Sequence, residues 1–262
     1  HGVVYTEDNE KVEISVGGED DDFCFTIADL LPHLAKDQLS KNATEFIDAE
    51  KMSVLVGNIK DEKAKKNKVK ENILKILNEK YGIKEIDFVR SDISFVPAFK
   101  TRYIGFDKSM IGGYGHDDRV CSYANVKAII DAASENKKLN KTAICLLVDK
   151  EEIGSVGATG MHSRFFENMV AEVMDRCGQY SELKLRRTLT NSCMLSSDVN
   201  SAFDPNYANV NEKKNTAYFG KGVVFMKYTG SRGKSGSNDA SAEYIGKLRK
   251  IMDDNNVSFQ TA

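Results

Sequence analysis

An α/β fold built on a central, mainly parallel sheet is expected, and three observations predict it. Residues 142–148 (TAICLLV) are apolar at six of seven positions and run into turn-forming residues, which is the pattern of a buried strand. From residue 107 to the end, strand-like and helix-like stretches alternate at the spacing of parallel strands joined by helices. Paired acids, Glu151 and Glu152, stand where the apolar run ends. Open α/β sheets carry their chemistry at the carboxyl ends of strands.

The elements follow in order. Strands at 3–5 and 12–16 form a hairpin around the turn 7–10, and an acidic loop occupies 17–22. A short helix is expected over 26–35, with Leu30, Leu31 and Leu34 on its apolar face, then a strand over 52–59. A lysine-rich helix over 61–81 places Val69, Ile73, Leu74 and Leu77 at helical spacing, and Gly82 caps it. One or two strands surround Pro97 within 86–106. A boundary near residue 106 separates this β-rich module from an α/β module. The second module runs through a glycine-rich loop (107–118), a helix (119–134), the strand 142–148 and a glycine-rich turn (154–160). A helix (163–177), a strand (188–199) and a strand (222–228) follow. A loop (230–237), a helix (239–254) and a last strand (257–261) complete it.

Composition narrows the function classes. The 262 residues are 41% hydrophobic and 29% charged, with a net charge of −2 and a pI near 6.2, so no basic field suggests nucleic acid. No apolar run reaches the roughly 20 residues that span a bilayer. Five cysteines without C-x-x-C spacing read as reduced thiols of a cytoplasmic protein rather than zinc ligands. The lysine run 60–70 is interspersed with acids and reads as a solvated helix surface. Residues 230–236 (GSRGKSG) fail as a phosphate loop, because Tyr228 stands where that motif needs a glycine. The chain starts at His1 and stops just after a strand-like run, so it is expected to be an internal segment of a longer polypeptide.

Three acidic groups carry the chemistry. Asp117 and Asp118 lie just before a helix, Glu151 and Glu152 follow the apolar strand, and Asp198 ends another expected strand. Each alone reads equally well as a helix cap or a solvated turn. Together they suit a carboxylate site able to hold two divalent ions about 3.5–4 Å apart, with one carboxylate left as a base. His116 adjoins the first pair; His162 opens a helix and reads as a capping or surface residue.

These residues sit in strings with a family pattern. GGYGHDDRVCSY (112–123), VDKEEIGS (148–155), LSSDVN (195–200) with DPNY (204–207), and YTGSRGKSGSND (228–239) occur in one order. With LLPHLA (30–35), they resemble the aspartyl aminopeptidase family, cocatalytic dinuclear zinc aminopeptidases, and its bacterial members most. The resemblance implies a phosphorylase/hydrolase-like zinc peptidase domain at 107–262 and a β-rich inserted dimerisation domain at 1–106. It implies that Asp117 bridges two metal ions, that Glu152 binds one and Asp198 the other, and that Glu151 is the general base. It also implies a cis Asp117–Asp118 peptide, a His33 that reaches a neighbouring subunit's active site, and a Lys227 near the substrate's carboxylate. Zinc is the expected metal, with cobalt or manganese as alternatives. Two further histidine ligands of the family have no match in this chain, so four of six site positions are here.

The activity implied is release of single N-terminal residues, acidic or neutral and apolar, from peptide substrates. Dimers assembling to a tetrahedral dodecamer are the implied homo-oligomer. A non-catalytic oligomerisation fragment and a related tetrahedral aminopeptidase or deacylase are the alternatives.

Overall fold

A computed structural model describes residues 1–18, 23–135, 138–227 and 240–262. The expected loop 230–237, the first residue of the expected helix 239–254 and most of the acidic loop 17–22 lie outside the described residues. The chain forms two compact units, His1–Tyr114 and Gly115–Ala262.

The first unit contains β1 (Gly2–Tyr5), β2 (Lys11–Ile14), β3 (Thr26–Ile27), α1 (Lys36–Leu39) and β4 (Val54–Leu55). It continues with α2 (Lys68–Tyr81), β5 (Ser91–Ile93), β6 (Arg102–Ile104) and β7 (Met110–Gly112). The expected hairpin is present: β1 pairs antiparallel with β2, Val4 opposite Val12, and β5 lies on its other edge. Val4 and Ile83 are fully buried with the Asp87 carboxylate, which accepts the Lys84 backbone N–H at 2.8 Å and faces Arg90 at 3.4 Å. The β6–β7 pair straddles residue 106, so its ladder carries the unit's edge to Tyr114.

Two expectations fail here for local reasons. No helix spans 26–35; β3 pairs with β4 instead, and only a 3-10 turn forms at Pro32–Leu34. Pro32 drives Leu31 extended (φ −65°, ψ 145°), which stops a helix from running through it. The lysine-rich helix starts at Lys68 rather than near residue 61. Asp61 captures the Lys63 backbone N–H at 2.9 Å and Asn67 takes a left-handed conformation, while Gly82 closes the far end as expected.

The second unit contains α3 (His116–Ser134), α4 (Phe165–Arg176), α5 (Glu182–Thr190), β8 (Val223–Phe225), α6 (Ala242–Asp254) and β9 (Phe259–Thr261). β8, α6 and β9 make a βαβ unit, with Val223, Val224 and Phe225 parallel to Phe259, Gln260 and Thr261. The remainder of the expected parallel sheet is not formed among the described residues. Residues 142–148 form no regular element and belong to no ladder among the described residues, and Leu147 is 54% exposed. A buried parallel strand needs partners at both edges, and among the described residues none pairs with this run.

A helix, α5, also enters the stretch expected to start a strand at residue 188. Ser181 accepts the Lys184 backbone N–H at 3.2 Å, Glu182 pairs with Arg186 one turn on at 2.6 Å, and Leu185 is buried where α5 packs beside α4. Ser181→Ala should therefore lower stability by about 1 kcal/mol, read as a drop of roughly 2–4 °C in the thermal midpoint. An unchanged midpoint would show that the buried Leu185 face alone holds α5.

Candidate metal centre

The acids of the second unit are delivered by three breaks in regular structure. Asp117 and Asp118 open α3 but leave helical geometry (ψ 111° and 31°), and the peptide between them is cis, as the resemblance implied. Gly115 precedes them at φ 71°, with the Arg119 guanidinium 3.1–3.4 Å from where a Cβ would sit, so both the angle and the space call for glycine. Asp198 sits in an irregular segment beyond α5 and accepts the Val199 backbone N–H at 2.7 Å. Glu151 and Glu152 form a 3-10 turn (Glu151–Ile153) entered by the left-handed Lys150 (φ 69°) and left through Gly154 (φ 98°).

Asp117, Asp118 and Asp198 converge: a ligand oxygen from each lies within 4.8 Å of the others. Burial pushes the Asp198 carboxyl above the ordinary range, and the charges of Glu151, Asp117 and Asp118 add to it. Glu151 is half-buried and close enough for its charge to be felt there; Glu152 is exposed and outside the group of three. The 3-10 turn accounts for the difference, since three residues per turn point successive side chains about 120° apart. The Cys121 thiol is pushed up to about 11 by burial, with Asp118 beside it, so it is a neutral neighbour of the cluster rather than a thiolate ligand.

A cation fits these residues. Asp118 Oδ1 is buried without a hydrogen-bond partner, and three carboxylates crowd at one point. Buried acceptors and repelling charges of this kind are what a divalent ion relieves. Asp118 was grouped with Asp117 in the candidate carboxylate cluster from sequence, but the resemblance assigned it no ligand role. His33 lies exposed in the 3-10 turn of the first unit, and Lys227 is exposed two residues past β8. Among the described residues no helix is long and apolar enough to cross a membrane.

A carboxylate cluster at a helix entrance, on a unit with a βαβ crossover, is an arrangement suited to an α/β metalloprotein. Residues 1–262 match the family model of the aminopeptidase I zinc metalloproteases (M18), and the chain belongs to that family. A probable M18 family aminopeptidase 1 from Clostridium acetobutylicum is 56% identical over 264 residues, covering 100% of this chain and 56% of its own length. The crystal structure of aminopeptidase I from that organism superposes with a TM-score of 0.85 at 54% identity, over 100% of this chain and 56% of that one. The M18 aminopeptidase crystal structure from Thermotoga maritima superposes with a TM-score of 0.90 at 39% identity, over 100% of this chain and 57% of that one. The chain thus has the fold of the corresponding part of M18 aminopeptidases, and it spans a little over half the length of the relatives it matches.

Proposed function

We propose that this chain is part of a zinc aminopeptidase that releases single N-terminal residues from peptides. The convergence of Asp117, Asp118 and Asp198 within 4.8 Å is the observation that carries the reading, and membership of a zinc metalloprotease family supports it. Asp117 would bridge the two ions, with Asp198 holding one and Glu152 the other. Bound zinc supplies a lowered water pKa and a polarised scissile carbonyl. Glu151, on the neighbouring turn, takes the proton from the attacking water and delivers it to the leaving amine. Lys227 faces the substrate side, and residues 142–148 supply a strand of a central, mainly parallel sheet in the assembled catalytic domain, 107–262.

Residues 1–106 act as an inserted dimerisation domain. The exposed Leu30, Leu31, Leu34 and Leu39 around His33 support this, since clustered exposed apolar side chains mark contact surfaces. His33 then serves a neighbouring subunit's site in a homo-oligomer of dimers, up to a tetrahedral dodecamer.

The test is hydrolysis of Leu-, Asp-, Glu- and Lys-capped chromogenic amides by the full-length protein, with zinc or cobalt added after chelation. Metal-dependent release from at least one cap is expected, and the best cap sets the substrate class. No release from any cap by protein holding two zinc ions would sink the aminopeptidase reading.

A further inference from the structure

The turn that carries Glu151 and Glu152 is closed on itself by residues the proposed chemistry does not use. Four of its residues, Lys150, Gly154, Ser155 and Gly157, have left-handed backbone (φ 69°, 98°, 57° and 83°). Such a run is costly for the non-glycine members and persists only where surrounding contacts hold it. Inside the turn, the Ser155 N–H donates to Lys150 O at 2.7 Å and the Gly154 N–H to Glu151 O at 3.0 Å. Across its mouth, Thr159 Oγ1 donates to Asp149 Oδ2 at 3.4 Å, and the same carboxylate holds Lys150 Nζ at 3.0 Å. The returning chain then passes directly over the turn. Gly160 is buried, and a Cβ there would lie 2.3 Å from Ser155 O and 2.5 Å from Val156 O. The His162 N–H completes the closure by donating to Ser155 O at 3.1 Å.

We infer that Asp149, Thr159 and Gly160 form a clasp that holds the Glu151 turn in its folded geometry, which makes them positioning residues for proton transfer. The inference rests on the reading of Glu151 as general base. Two features place the clasp where it can matter. Asp149 and Thr159 flank the glutamates on either side in sequence, so their contact shortens the loop that Glu151 rides on. Gly160 leaves no room for a side chain, so the two backbones meet directly. A displacement of about 1 Å in a catalytic group can lower a rate up to about a hundredfold, which a loosened turn would produce without removing any reacting atom.

Thr159→Val keeps the side-chain shape and removes the hydroxyl donor; Thr159→Ser keeps the donor. In the full-length, zinc-loaded protein, Thr159→Val should speed hydrogen exchange at the Gly154 and Ser155 amides by about tenfold or more. It should lower kcat by about tenfold, with KM changed less than about threefold. Thr159→Ser should restore both. Gly160→Ala should act in the same direction more strongly, with circular dichroism reporting whether it still folds. Faster exchange in a protein that is inactive even as wild type would leave the clasp standing and remove the general-base reading. Exchange at those two amides unchanged by Thr159→Val would overturn the clasp.

Discussion

Glu151→Gln, in the full-length zinc-loaded protein, is expected to lower kcat by about 10²–10⁴-fold, the range that a positioned general acid/base contributes. The amide keeps the side chain's size and removes its capacity to accept a proton. Zinc content should stay close to wild type, because in this reading Glu152, Asp117 and Asp198 hold the ions. KM should change little, since the lost interaction belongs to the transition state. The structure motivates the choice through charge: Glu151 is the first neighbouring acid whose charge raises the Asp198 carboxyl. It therefore stands beside the ion site without belonging to the group of three. Activity within a few-fold of wild type would remove Glu151 from the proton-transfer role.

Asp117→Asn should lose zinc. A bridging carboxylate neutralises both ions, so its amide removes charge from two coordination shells at once, and affinity should fall by well over the ten- to hundredfold typical of outer-shell partners. Equilibrium dialysis with zinc measures it directly. Wild-type protein should also show a zinc-induced rise in thermal midpoint that is larger at pH 7 than at pH 5. Zinc must displace protons from the cluster, and Asp198, whose pKa is raised, keeps its proton to higher pH than an ordinary aspartate. The sign follows: below the raised pKa protons compete with zinc, and above it they do not. Two zinc ions held by Asp117→Asn with wild-type affinity would dismiss Asp117 as the bridge.

Much of the local structure was legible in the residues. The β1–β2 hairpin followed from alternation about a polar turn, and the end of α2 from Gly82. The β8–α6–β9 crossover followed from a strand, helix, strand pattern near the carboxyl end. The failures came from single residues overriding a periodic pattern. Pro32 broke the helix that Leu30, Leu31 and Leu34 suggested, and Ser181 started one that runs into the stretch expected as a strand. The candidate site divides in the same way. Asp117, Glu151, Glu152 and Asp198 stood out because acids at strand ends and helix starts are few and placed alike. Asp118 stood out with them, but the resemblance gave it no ligand role; here the departures from helical angles at Asp117 and Asp118 go with carboxylates that meet at one point.

The sequence by itself determined which acids could take part, which helix faces are apolar, and the family, since all of these are written in residue type and short-range spacing. Only the tertiary structure decided that Asp117 and Asp118 meet Asp198, that Asp118 Oδ1 is left buried without a partner, and that Thr159 and Gly160 close the Glu151 turn. The reason is physical: meetings between residues far apart in sequence depend on the path of the whole chain. Local propensity constrains that path at each step without fixing where it returns.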